Sequence, residues 1–218
     1  MVEKDILKPA LRYTFSQHLF TGNWQAMMFS QIKSKLASDS VIPVLDFAKN
    51  RGIKYQDEIK SAYYTHQSIT MHPIVSYYKC STHLKRESIV VISEDNNHDF
   101  HAVNHYMNIV NTEIKEDFKR RIIFSDGCSS QYKSKGPFSD LALFKIPINR
   151  NFFGSEHGKS ECDGEIGIVN RAIDRAIIGN KVIINNAEDL FKFCQKSMYF
   201  TTSTCKGGTD GDCKAVKL

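Results

Sequence analysis

With 218 residues the chain can bury one large core or two small ones, and its 41% apolar and 24% charged composition excludes disorder for most of its length. No run approaches the roughly eighteen apolar residues of a membrane span, and the opening MVEKDILKPALRYTF has no apolar segment followed by a small-residue cleavage site, so neither membrane insertion nor secretion is expected. A net charge of +5, with Lys and Arg strewn along the chain, favours a polyanionic partner, and six scattered cysteines without a C-x-x-C pair fit a reducing compartment inside the cell.

Residues 1–39 carry Leu7, Leu11, Phe15 and Leu19, then Trp24, Met27, Met28, Ile32 and Leu36, at helical spacing. They predict two amphipathic helices broken near Thr21-Gly22-Asn23. Residues 40–48 are a short β-branched run ending in Asp46-Phe47-Ala48 and read as a strand. Two more strands, 68–78 and 87–93, are expected to pair as an antiparallel meander, followed by a helix over 99–117 capped near Asp99. A fourth strand, 121–125, again ends in an aspartate, Asp126. Beyond a polar loop and a helical turn at 139–143, residues 144–149 read as a fifth strand, placed at an edge by Pro147. The loop 154–164 leads into a helix with Ile166, Val169, Ile173 and Ile177 on one face, ended by Gly179-Asn180. A short strand at 182–184 and a helix starting at 185 complete a core expected over 40–200, and 201–218 reads as a disordered tail.

Three strands, a helix, a strand, a short helix, a strand and a helix is the order of a ribonuclease H-like α/β domain: a mixed five-stranded sheet with helices on both faces, here preceded by N-terminal helices. In such a sheet strands one and four are neighbours, so Asp46 and Asp126 come to lie side by side, with Glu161, Asp163 and Glu165 at the mouth of the following helix. Clustered carboxylates repel one another and raise each other's pKa unless a cation neutralises them. Hard oxygen ligands with open positions suit Mg²⁺ or Mn²⁺, and two such ions can activate a nucleophile and stabilise a leaving oxygen at phosphorus. Taken singly, either aspartate reads more readily as a turn cap, Asp126-Gly127 being an ordinary turn pair; the two together with the third acidic cluster favour the metal.

The segments Val44-Leu-Asp-Phe-Ala48, Phe124-Ser-Asp-Gly-Cys-Ser-Ser-Gln-Tyr-Lys133 and Phe152-Phe-Gly-Ser-Glu-His-Gly-Lys-Ser-Glu-Cys-Asp-Gly164 resemble transposon-derived proteins with a DDE/D-type transposase or integrase core, over roughly Trp24 to Cys194. The resemblance implies metal-dependent DNA strand cleavage and strand transfer in the nucleus, often by a homo-oligomer. Asp46 and Asp126 match the first two ligands of that pattern. Asp163 is favoured as the third, with Glu161 and Glu165 as rivals, and Lys49 stands where an acidic residue is expected in relatives.

Around the acids, His157 and Lys159 in a glycine-containing loop are candidates for contacting a scissile strand. Ser129, Ser130, Gln131, Tyr132 and Lys133 are candidates for hydrogen bonding to the DNA backbone. Cys128, His157 and Cys162 invite a zinc or nucleophile reading at irregular spacing, and His98, His101 and His105 are expected to decorate an exposed helix face. No zinc-finger, helix-turn-helix or basic-zipper signature is present. The alternative to an enzyme is a non-catalytic, domesticated nucleic-acid or protein-interaction module of the same fold.

Overall fold

In the computed structural model, residues 3–53, 68–80, 83–114, 117–154, 161–198 and 213–217 are described. The elements are α1 (Glu3–Ser34), β1 (Ser40–Leu45), β2 (Arg51–Gly52), β3 (Ser68–Cys80), β4 (His83–Ser93), α2 (Phe100–Glu113), β5 (Arg120–Ser125), α3 (Lys135–Leu141), β6 (Ile148–Phe152), α4 (Glu161–Ile178), α5 (Ala187–Ser197) and β7 (Cys213–Lys217). The sheet runs β6-β5-β1-β3-β4-β7, with β2 added to β3. β3 pairs antiparallel with β1 and β4, while β5 lies parallel to β1 and β6 parallel to β5. Leaving aside β2 and β7, this is the ribonuclease H-like arrangement expected from the order of elements.

Alternation along the strands explains why both faces are covered. Val41 and Leu45 of β1, Ile74 and Tyr78 of β3, Ile89 of β4 and Ile123 of β5 pack under Val103, Tyr106 and Val110 of α2. Their neighbours Ile42, Val44, Val75, Tyr77 and Phe124 face Phe29 of α1, Leu36 just beyond it and Cys162 of α4. Ile69, Met71 and Val90 continue that second face under Ile166, Val169 and Ile173 of α4 and Leu190 of α5. β3 is therefore buried on both sides, and each such side chain contributes about 1.5–3 kcal/mol relative to exposure. Glu87, buried on the α2 face, accepts from Tyr78 Oη and pairs with Lys85 Nζ at 3.2 Å.

The structure departs from the sequence reading in several places. α1 is one helix: Gly22 is buried within it, and the adjacent Thr21 Oγ1 bonds back to the Gln17 carbonyl at 2.9 Å, so the glycine lowers propensity without breaking the helix. Within it Gly22 and Phe29 are buried, as is Leu36 just after its end, whereas Trp24 and Met27 of the expected stripe are exposed. α3 starts earlier than the expected helical turn. The fifth strand starts only at Ile148, because Pro147 has no N–H to give the ladder; its carbonyl instead accepts from Arg121 N at 3.1 Å. No strand forms at 182–184, where Ile183 is 78% exposed. Part of the expected tail, Cys213–Lys217, pairs with β4. Asp99 caps α2 through Ala102 N at 2.9 Å, and Asn180 closes the end of α4 at φ 50°, both as the sequence suggests.

Gly136 in α3 lies flat against the ring of Phe100, the first residue of α2, where an added Cβ would meet ring carbons at 2.8 Å. Gly136→Ala is therefore expected to destabilise the protein by about 1–3 kcal/mol, measured by urea unfolding; a neutral result would mean that α3 is not docked on α2.

His72, wholly buried on the α2 side of β3, bonds through Nε2 to Tyr132 Oη at 3.2 Å, and burial followed by the nearby His98 lowers its pKa to about 3. The folded state thus binds fewer protons than the unfolded chain between pH 6.5 and about 3, so stability is complete above that window and falls as pH drops through it. Between pH 6.5 and 5.5 the loss from this group is about 1 kcal/mol. Unfolding titrations at those two pH values should show a shallower fall in His72→Gln; equal slopes would contradict a neutral buried imidazole.

Candidate metal and nucleic-acid site

The parallel register of β1 and β5 sets Leu45 opposite Ser125, so the chain delivers Asp46 and Asp126 next, at the same level, on two adjacent strands. Both stand one residue beyond their strands, and the charge of Asp46 reaches Cys162 of α4 as well as Tyr132. Both carboxylates are partly buried. Burial pushes the pKa of Asp126 up, against the lowering effect of a hydrogen bond that its Oδ1 accepts from Cys128 N at 3.1 Å. Asp126 therefore does cap its turn, and its ionised form is still disfavoured.

Tyr132 ties the floor of this crevice together. Its amide donates to the Cys128 carbonyl at 2.8 Å and its own carbonyl accepts from Arg150 Nη1 at 2.8 Å. Burial first, then the charges of Asp46 and Asp126, hold its hydroxyl protonated well above the usual range. The exit from β1 is fixed by Phe47, whose ring stacks on His98 at 4.3 Å and meets His72 edge-on at 4.4 Å, while Ala48 N donates to Met71 O at 3.1 Å. His98 is anchored in turn by Thr70 Oγ1 at 3.1 Å, unlike the exposed His101 and His105.

At the start of α4 the three acids part company. Glu165, buried, pairs with Arg86 Nη1 at 2.5 Å. Glu161 lies 3.3 Å from Lys33 Nζ and 3.6 Å from Arg86 Nε. Burial alone would raise the pKa of Glu161, but the Tyr77 hydroxyl and these two cations bring it below the ordinary value. Both rivals are thus engaged in tying α4 to β4 and α1. Asp163 is exposed and shares a helix stripe with Asn170 and Asp174, which hold Arg51 of β2 at 2.9 and 2.6 Å. That stripe faces the segment that follows Asp46.

Cys162, between Glu161 and Asp163, inserts its Sγ between the carbonyls of Val44 and Pro73, at 3.5 and 3.6 Å. Burial, then the charges of Asp46, Glu161 and Asp163, keep the thiol protonated, which removes it from the zinc and nucleophile readings. Asp46 of the first strand end and Asp163 of α4 are thus both within electrostatic reach of one sulfur. Among the described residues, no three His, Cys, Asp or Glu side chains converge as a metal-binding group.

Of the other candidates, Gln131 is half-buried and Lys133 is exposed, its ammonium 5.5 Å from the centre of the Phe152 ring. Tyr132, expected to meet DNA, is 0% exposed and serves the interior instead. His157 and Lys159 lie outside the described residues. The sequence reading missed His72, Arg86 and the inward role of Tyr132. A lone histidine inside the apolar run of β3 was a usable signal for the first; nothing local marks Arg86. No helix among the described residues is long and apolar enough to cross a membrane.

No curated protein matches this chain. Among solved structures, the Mos1 strand transfer complex is similar over 81% of this chain and 52% of the other, at 8% identity and a TM-score of 0.37. NurA bound to dAMP and manganese is similar over 90% of this chain and 42% of the other, at 11% identity and a TM-score of 0.19. The chain spans about half the length of these two structures or less. Residues 25–210, most of the chain, match a family described as a domain of unknown function, and the protein belongs to that family, DUF8701.

Proposed function

We propose that this domain processes DNA by metal-dependent phosphoryl transfer, cleaving and joining strands as a transposase- or integrase-like core, with Asp46, Asp126 and Asp163 as the ligands of Mg²⁺ or Mn²⁺. The observation that carries this reading is the register that sets Asp46 beside Asp126 at the ends of adjacent parallel strands. The donor set suits a hard cation, and a partly buried carboxylate whose ionisation is disfavoured, Asp126, is one that a cation would relieve. When bound, two divalent ions would activate the attacking oxygen and stabilise the leaving one.

The chain's own residues supply positioning. Phe47 and Tyr132 fix the two strand ends, and the capped turn at Cys128 leaves the second oxygen of Asp126 for a ligand. Of the three acids at the start of α4, Asp163 is the one not engaged by Arg86 or Lys33, which supports it as the third ligand on this reading. Lys133, exposed, and Gln131, half-buried, follow Asp126 in the chain and would contact the DNA backbone on this reading. Acting on DNA, the protein would work in the nucleus.

One observation favours a second reading, a non-catalytic nucleic-acid or protein-interaction module: the described carboxylates do not converge as a group of three.

The test combines activity with stability. Nicking of a labelled duplex should require Mn²⁺ and drop roughly 100-fold or more in Asp126→Asn and in Asp163→Asn. Because burial raises the pKa of Asp126, its negative charge costs folded-state stability above that pKa, so Asp126→Asn should melt higher than the parent without metal and lose the rise in melting temperature that Mn²⁺ gives the parent. Folded protein with neither nicking nor a Mn²⁺-induced shift would transfer the assignment to the second reading.

A further inference from the structure

On the α2 face, away from the acids, a cavity of about 260 Å³ opens between α2, α3 and the β5–β6 edge. Two arginines enter it. Arg121, near the start of β5, has no acidic partner among the described residues, and its Nε is buried without an acceptor. Arg150 of β6 uses Nη1 to hold the Tyr132 carbonyl, and its Nε is likewise buried and unsatisfied. The carboxylate of the cavity, Asp140, is engaged by the amide of Asn104. Two partly buried guanidinium groups with unused donors are costly as they stand, because burial of a cation needs a compensating anion. Desolvation lowers the pKa of both; at Arg150 the charges of Tyr132 and Asp140 act against it, whereas nothing offsets it at Arg121.

The rest of the lining indicates what kind of anion. Asn108 and Asn111 follow Asn104 along one stripe of α2 and offer amide donors and acceptors to the cavity. Phe144 and Leu143 stand at its mouth, 42% and 80% exposed. Arginine forks match phosphate oxygens, amides pair with the edge of a nucleobase, and an aromatic ring stacks on its face. The volume lies just under the roughly 300–1,000 Å³ of ordinary ligand sites, which limits the occupant to a single nucleotide unit.

We infer that this cavity is a nucleotide-phosphate site, in which Arg121 and Arg150 clamp one phosphate and Asn108, Asn111 and Phe144 receive the attached base. The phosphate can belong to a free nucleotide or to the end of a nucleic-acid strand. The inference requires no metal and stands apart from the reading of Asp46 and Asp126.

The test is calorimetric titration of the full chain, in EDTA, with AMP, with inorganic phosphate, and with a short oligonucleotide carrying or lacking a 5′-phosphate. AMP or the phosphorylated oligonucleotide should bind more tightly than inorganic phosphate. Binding of AMP alone identifies a free nucleotide as the source, and binding of the phosphorylated but not the unphosphorylated strand identifies a strand end. Arg121→Met should weaken binding at least roughly tenfold while melting no lower than the parent, since Arg121 holds no protein acceptor. Asn111→Asp should weaken it as well by repelling the phosphate, and Asp126→Asn should bind as the parent does. The inference fails if the parent binds neither AMP nor the phosphorylated strand. It fails equally if Arg121→Met binds like the parent, or melts lower with affinity unchanged.

Discussion

The parallel pairing of β1 with β5 is the constraint on which the rest of the molecule depends. It joins the antiparallel half of the sheet, β1, β3 and β4, to the parallel half, β5 and β6, and it does so through strands whose central residues are buried on both faces. A slip of one residue would turn Val41 and Leu45 away from α2 and Ile42 and Val44 away from α1 and α4. Because the apolar pattern forbids that slip, the positions of Asp46 and Asp126 relative to one another follow from packing alone, with no contribution required from the carboxylates.

The second constraint is the ion cluster under α4. Arg86 reaches from β4 to Glu161 and Glu165, Lys33 reaches from α1 to Glu161, and the Lys33 ammonium sits 4.4 Å from the centre of the Phe29 ring. Since Glu165 is largely withdrawn from solvent, loss of Arg86 would leave its charge unpaired in the interior, so this pair anchors the first turn of α4 against the sheet. The same arrangement sorts the acids of that turn. Two face the cations and are structural, and Asp163 is left exposed, paired with neither Arg86 nor Lys33.

Much of this was legible in the sequence where periodicity and strand ends carry the information. The β-branched runs ending in Asp46 and Asp126 and the spacing of Ile166, Val169 and Ile173 lead to the observed strands and helix. What local pattern cannot carry is pairing over distance. Arg86 reads as one more basic residue until β4 is set beside α4, and Arg121 and Arg150 read as solvated cations until β5 and β6 close beneath α2 and α3. Tyr132 misled for the opposite reason. It sits among serines, lysine and glutamine that belong to a surface loop, yet its hydroxyl is drawn inward by His72. Val182 and Ile183 have the composition of a strand, yet Val182 packs with Leu190 and Cys194 of the last helix and Ile183 is exposed.

The sheet order also dictates when the crevice can exist during synthesis. The hairpin of β3 and β4 and its pairing with β1 use residues close in sequence, so a nascent chain can assemble them early. Asp126 arrives only with β5, and Asp163 only when α4 has emerged and Arg86 has found its carboxylates. A chain halted before that point would hold a folded hairpin and a solitary aspartate. The arrangement of the three acids is therefore withheld until the domain is nearly whole.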